Sequence, residues 1–137
     1  MKQIVLILCL FSCSHVFAQL TTDSLVGEWI CKEVSLTEEI TDSETKTAMD
    51  FLKKGFINSR FVFKPDGTLN FRLDERVPAK MKELSFIDNK KWTFDPKMEM
   101  IMIHPDIMDI QVKKGDGFLK FLLSDSPLSL RMQKVSR

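Results

Sequence analysis

The chain has 137 residues, 44% of them hydrophobic and 28% charged, with 20 basic and 19 acidic side chains. That length makes one domain of ordinary size, large enough to bury a core without covalent staples. The near-neutral balance excludes the basic footprint of a nucleic-acid binder or of a protein held on an anionic membrane surface.

Residues 1–18 read as a leader. Lys2, an apolar run over residues 4–11 and Val16-Phe17-Ala18 before Gln19 match a secretory signal peptide cleaved after Ala18. The run is too short to stay in a bilayer as a spanning helix. A second reading takes Leu10-Phe11-Ser12-Cys13 as a lipobox, with the protein lipid-anchored through Cys13. The bulky Phe11 and the better cleavage site at Ala18 favour a cleaved form, periplasmic or secreted. Residues 19–137 then form the domain; without Lys2, 19 basic side chains balance 19 acidic ones. Cys9 and Cys13 leave with the leader and Cys31 remains, so no internal disulfide is expected. With no second soft ligand beside it, Cys31 reads as a buried packing residue.

Leu25-Val26-Gly27-Glu28-Trp29-Ile30 opens the domain and leads into a first strand running to about Val34. The period then changes. Thr41 with Glu44 three residues on reads as a capping box. Ala48, Phe51, Leu52 and Gly55 share a helical face with Met49 at its edge, and Gly55 suits a C-terminal cap. The expectation is one helix over residues 43–54, packed on the barrel through Phe51 and Leu52.

Residues 60–73, RFVFKPDGTLNFRL, alternate on both sides of a Pro65-Asp66-Gly67 loop. Pro65 pre-sets the first corner and Gly67 takes the left-handed closing position. That loop fixes the register: Phe63 faces Leu69 and Phe61 faces Phe71, which puts Phe61, Phe63, Leu69, Phe71 and Leu73 on one face. The other face, Arg60 to Arg72, is polar, as in an antiparallel sheet with one buried side. Residues 76–91 are locally basic with acidic residues interleaved. Pro78 either starts a helical turn through Leu84 or marks an edge, and the default reading is a solvated face, with an acidic partner as the alternative.

From Lys90 the pattern is a meander of short strands over residues 91–95, 98–103, 107–113, 118–123 and 128–135, which brings the total to about eight. A two-residue Gly115-Asp116 turn would set Val112 against Leu119 and Ile110 against Phe121. A four-residue loop over 124–127 sets Phe121 against Leu130 and Leu119 against Met132. The inward phase then ends on Lys134, predicted to lie over the Trp29 ring, with Arg131 as the alternative cation.

The order of a Leu-x-Gly-x-Trp entry (Leu25, Gly27, Trp29), a Phe-x-x-Asp-Gly-Thr hairpin at residues 63–68, a Trp-x-Phe strand (Trp92, Phe94) and a terminal Leu-rich strand resembles the lipocalin-like proteins exported by Bacteroidetes. The resemblance implies that Trp29 packs at the closed end of a barrel beneath a basic side chain, an architectural role. Taken with the strand count, the expectation is an all-β, eight-stranded antiparallel up-and-down barrel with one helix packed on it.

Catalytic vocabulary is thin. Past the leader, His104 is the sole histidine and Cys31 the sole thiol, so there is no His/Cys metal cluster and no obvious Cys-His or Ser-His unit. His104-Pro105-Asp106 reads as a turn between strands, and Asp74-Glu75 as solvated loop residues. Met98, Met100 and Met102 alternate in one strand, opposite Ile101 and Ile103; pliable thioethers fill irregular cores and also line apolar sites. Spaced methionines suit copper(I) too, but the strand as read, residues 98–103, holds no histidine and no metal is assigned. No cofactor is expected. The reading is a noncatalytic protein binding a small apolar or amphipathic molecule inside the barrel, lined by Phe61, Phe63, Leu69, Phe71, Leu73, Trp92, Phe94, Met100, Met102 and Phe121. The alternative is a filled barrel serving as an interaction or structural module.

Overall fold

The computed structural model describes residues 19–136; the signal peptide expected over residues 1–18, and with it Cys13, lies outside the described residues. Eight antiparallel strands follow one another in chain order around a closed barrel. They are β1 (Gly27–Leu36), β2 (Arg60–Phe63), β3 (Thr68–Arg72), β4 (Lys90–Asp95), β5 (Met100–His104), β6 (Met108–Lys114), β7 (Leu119–Leu123) and β8 (Leu128–Lys134). β8 returns to β1 from Leu36↔Leu128 to Trp29↔Lys134, which closes the sheet and leaves neither strand as an edge. Among the described residues no helix is long and apolar enough to cross a membrane.

The hairpin forms as its turn chemistry dictates. Phe63 pairs with Leu69 and Phe61 with Phe71, while Asp66 accepts the Thr68 amide at 2.9 Å and Gly67 sits at φ +87°. The 124–127 loop also gives the expected register, Phe121↔Leu130 and Leu119↔Met132. The β6–β7 turn is longer than expected. Ile110 pairs with Leu123, Val112 with Phe121 and Lys114 with Leu119, two residues away from the pairing a Gly115-Asp116 turn would give. Gly115 to Phe118 form a four-residue loop in which Gly117 takes φ +79° and the Phe118 ring folds over Gly115, filling the space a side chain there would need. A slip of two keeps every side chain on its face, so the inward set is unchanged.

Three local elements cover the barrel ends. α1 (Thr22–Leu25) places fully buried Leu25 beneath Trp29, whose Nε1–H donates to the Leu25 carbonyl at 2.9 Å. α2 (Ser43–Phe56) and a 3-10 helix (Ala79–Ile87) lie at the end where β2 begins and β3 finishes. Asp42, not Thr41, caps α2: its carboxylate accepts the Thr45 amide at 2.9 Å and the Thr45 hydroxyl at 2.7 Å. Gly55 is inside the helix and buried, where a Cβ would meet the Leu84 side chain at 2.5 Å; it is a point of close approach to the 3-10 helix, and the left-handed residue past the end is Asn58 at φ +63°. α2 runs on to Phe56; its inward stripe is Met49, Leu52 and Phe56, and Phe51 lies off that stripe on the outer side, 38% exposed.

β3 and β4 share the short register Thr68↔Lys91 and Leu69↔Lys90. Beyond it the Asp88 carboxylate accepts the Phe71 amide at 2.8 Å, replacing a ladder partner, and Met81 and Ile87 of the 3-10 helix are buried. Thus residues 76–91, expected to be a solvated face, carry part of the packing at this end.

Candidate functional site

Seven of the ten side chains expected to line a cavity are buried in the barrel: Phe61, Phe63, Leu69, Phe71, Trp92, Phe94 and Phe121. They meet one another. Phe61 of β2 lies edge-on to Phe71 of β3 at 4.8 Å and to Phe121 of β7 at 5.7 Å; Phe63 meets Phe121 at 6.1 Å and Trp92 of β4 at 5.0 Å. Since β8 and β1 stand between β7 and β2, the Phe61–Phe121 contact spans the interior. Phe56 reaches in from α2 to 6.1 Å from Phe71. Edge-to-face separations of this order are those of packed aromatic pairs.

The other three expected lining residues are elsewhere. Leu73 is past the end of β3, half-buried at the rim. Met100 and Met102 point outward: Trp92 pairs with Ile103, Phe94 with Ile101 and Ile110 with Ile101, so the inward phase of both neighbouring strands puts Ile101 and Ile103 inside. β5 also begins later than the sequence pattern suggests. Met98 belongs to the preceding turn, 60% exposed, and the strand's last residue is His104 on the methionine face.

At the α1 end, Lys134 pairs with Trp29 across β1 and β8, and its Nζ lies 5.6 Å from the indole centroid, as predicted. Gly27 allows this: at φ +135° it has no side chain in the path of the Lys134 stem, whose Cε would be 2.9 Å from a Cβ there. Arg131 faces outward and stacks on Phe118 at 4.2 Å. Trp29, Phe118, Leu119 and Lys134 line a groove of about 440 Å³ together with Gln19, Leu20 and Ser24.

A second groove, of about 550 Å³, lies outside the barrel at the other end, lined by Ile30, Asn58, Arg60, Arg72, Leu73, Asp74, Glu75 and Arg76. Arg60 and Arg72 are direct cross-strand partners, a like-charge pairing that costs stability unless anions offset it. Glu28 does so for Arg60 at 3.1 Å. Asp74 accepts hydrogen bonds from the Arg76 side chain and amide and from Asn58, which hold its carboxyl well below the usual carboxylate range and commit it to loop structure.

The groups with reactive potential are similarly engaged. Burial pushes the Cys31 thiol up to about 12, its Sγ–H pointing to the Glu33 carbonyl at 3.5 Å, so thiolate is scarce at neutral pH. His104 Nε2 lies 2.8 Å from the Thr93 hydroxyl. Among the described residues no group of three or more His, Cys, Asp or Glu side chains is placed to hold a metal ion. The sequence reading missed that His104 shares the methionine face; the signal was present in the spacing Met100-x-Met102-x-His104 and was hidden by ending the strand at Ile103. A scan against protein-family models, a search of curated proteins and a search of solved structures each found no match to this chain.

Proposed function

We propose that this is an exported, noncatalytic, lipocalin-like barrel that works as a binding scaffold through its outer surface, its interior being packed by its own side chains. The observation that carries this reading is the Phe61–Phe121 contact at 5.7 Å, made between non-adjacent strands across the middle of the barrel. An eight-stranded barrel is just wide enough to be filled in this way. The outer groove mixes charges: Arg60 is paired with Glu28 and Arg76 with Asp74, which leaves Arg72 as the arginine of this groove best placed to meet an acidic group of a partner. A second reading has support at the α1 end, where the groove beside Trp29 and Phe118, with Lys134 at its edge, fits a small amphipathic molecule with an anionic head. Native mass spectrometry of the protein purified from its own cells tests the main reading. The expected spectrum is the bare chain mass; a stoichiometric lipid-like adduct, lost when Phe61 or Phe121 is replaced, would return the barrel interior to the role of binding site.

A further inference from the structure

The outer face of β5 presents Met100, Met102 and His104 in alternation, each half-buried, while Ile101 and Ile103 take the inside. Outer positions of such a sheet ordinarily carry polar or β-branched residues, and methionine is neither. Core packing, the other common use of methionine, does not apply to a face turned away from the core. We propose that this face binds a soft monovalent cation, Cu(I), held by the Met102 thioether together with the His104 imidazole or the Met100 thioether.

The chemistry favours that ion. Thioether sulfur selects Cu(I) over the harder divalent metals, and imidazole also suits copper. Residues two apart on a strand stand about 6.6–6.8 Å from each other, which flexible side chains can close around one ion; the ends of the series, about 13 Å apart, cannot share it. Met102 is therefore the common member of both pairs. Thr93, the cross-strand partner of Met102, lies with its hydroxyl 2.8 Å from His104 Nε2. With Nε2–H donating to Thr93, Nδ1 keeps its lone pair, which is how an outer partner fixes the tautomer of a metal-binding histidine. Asp95 and Asp109 pair with Met100 and Met102, and Lys91 pairs with His104. The Asp109 carboxylate thus favours a cation near Met102 and the Asp95 carboxylate one near Met100, while Lys91 opposes one at His104.

Silver(I), which has the same charge and softness and no accessible redox step here, is the probe. The cleaved form expected from the sequence, residues 19–137, labelled with ¹³C-methyl methionine and ¹⁵N-histidine, is titrated with silver nitrate and each methyl and imidazole resonance followed. One equivalent is expected to shift the Met102 methyl together with the Met100 methyl or the His104 ring, leaving Met49 and Met132 unmoved. Met102→Leu is expected to weaken binding by roughly tenfold or more, since losing even an outer-shell partner of a metal site costs about 10- to 100-fold. Unchanged tryptophan fluorescence confirms that the variant is folded. Capture of silver by the Cys31 thiol instead would move the methyl of Met132, its cross-strand partner, and would overturn the assignment. An unchanged affinity in Met102→Leu would do the same.

Discussion

Phe121→Ala removes a fully buried ring that stands edge-on to Phe61 at 5.7 Å and to Phe63 at 6.1 Å. In a packed interior such a truncation costs about 3–5 kcal/mol, from lost transfer energy and the cavity left behind. Each edge-to-face pair adds roughly 0.5–1.5 kcal/mol beyond burial, so the upper part of that range, about 4–5 kcal/mol, is expected. A domain of this size has about 5–15 kcal/mol in total, so the variant should remain folded with a much lower urea midpoint and an unchanged slope. The vacated space would be apolar and dry, and benzene should bind in it and recover part of the thermal midpoint. If Phe121 instead lined a cavity built for a ligand, its ring would lack packing partners on one side and its loss would cost little. A cost below about 1.5 kcal/mol, well under the range for packed aromatic truncations, would refute the filled interior.

Gly27→Ala imposes a side chain at φ +135° and in the path of the Lys134 stem, with an expected cost of about 1–3 kcal/mol. Thermal denaturation of this variant, with and without Lys134→Met, separates backbone strain from the clash. Ser59→Ala removes a fully buried hydroxyl whose oxygen has no hydrogen-bond partner among the described residues, so urea unfolding should show a gain of about 1 kcal/mol where a buried polar-to-alanine change ordinarily shows a loss. Cys31 is neutral in both folded and unfolded chains below its unfolded value of about 8.5. Above it the unfolded chain releases a proton that burial makes the native state keep up to about 12, so stability falls as pH rises through that window. Between pH 8.5 and 10 the loss from this group should be about 1–2 kcal/mol, and urea unfolding of Cys31→Ala should lack that component.

The parts of the fold legible in the sequence were those in which local chemistry and the hydrophobic period agree. Pro65-Asp66-Gly67 determines both a turn and the register of β2 on β3, and the count of turns gave the eight-stranded barrel. Carrying the inward phase round to Lys134 correctly placed its ammonium over Trp29, although the β6–β7 pairing on the way was wrong by two residues. The end of α2 was less accessible. Gly55 has the composition of a helix stop, yet it is kept inside the helix because its bare Cα lets Leu84 approach, a contact made 29 residues away that no local pattern records. The two added residues bring Phe56 into the core, and the stripe it shares with Met49 and Leu52 leaves Phe51 on the outer side.

Errors of two residues and errors of one have different consequences for function. The period of a strand is two, so the misplaced β6–β7 turn changed no side chain's face. β5 differs because both of its phases are apolar, Met100 and Met102 on one side and Ile101 and Ile103 on the other, and hydrophobicity alone does not choose between them. The choice comes from its neighbours: Trp92 and Phe94 in β4 and Ile110 in β6 are already committed inward, and pairing with them forces the isoleucines in. The same pairing carries β5 on to His104 opposite Lys91, which brings the imidazole onto the methionine face. A soft-cation site is therefore visible only after the phase of β5 is set from both sides, and its three side chains stand together for the same reason that the barrel core excludes them.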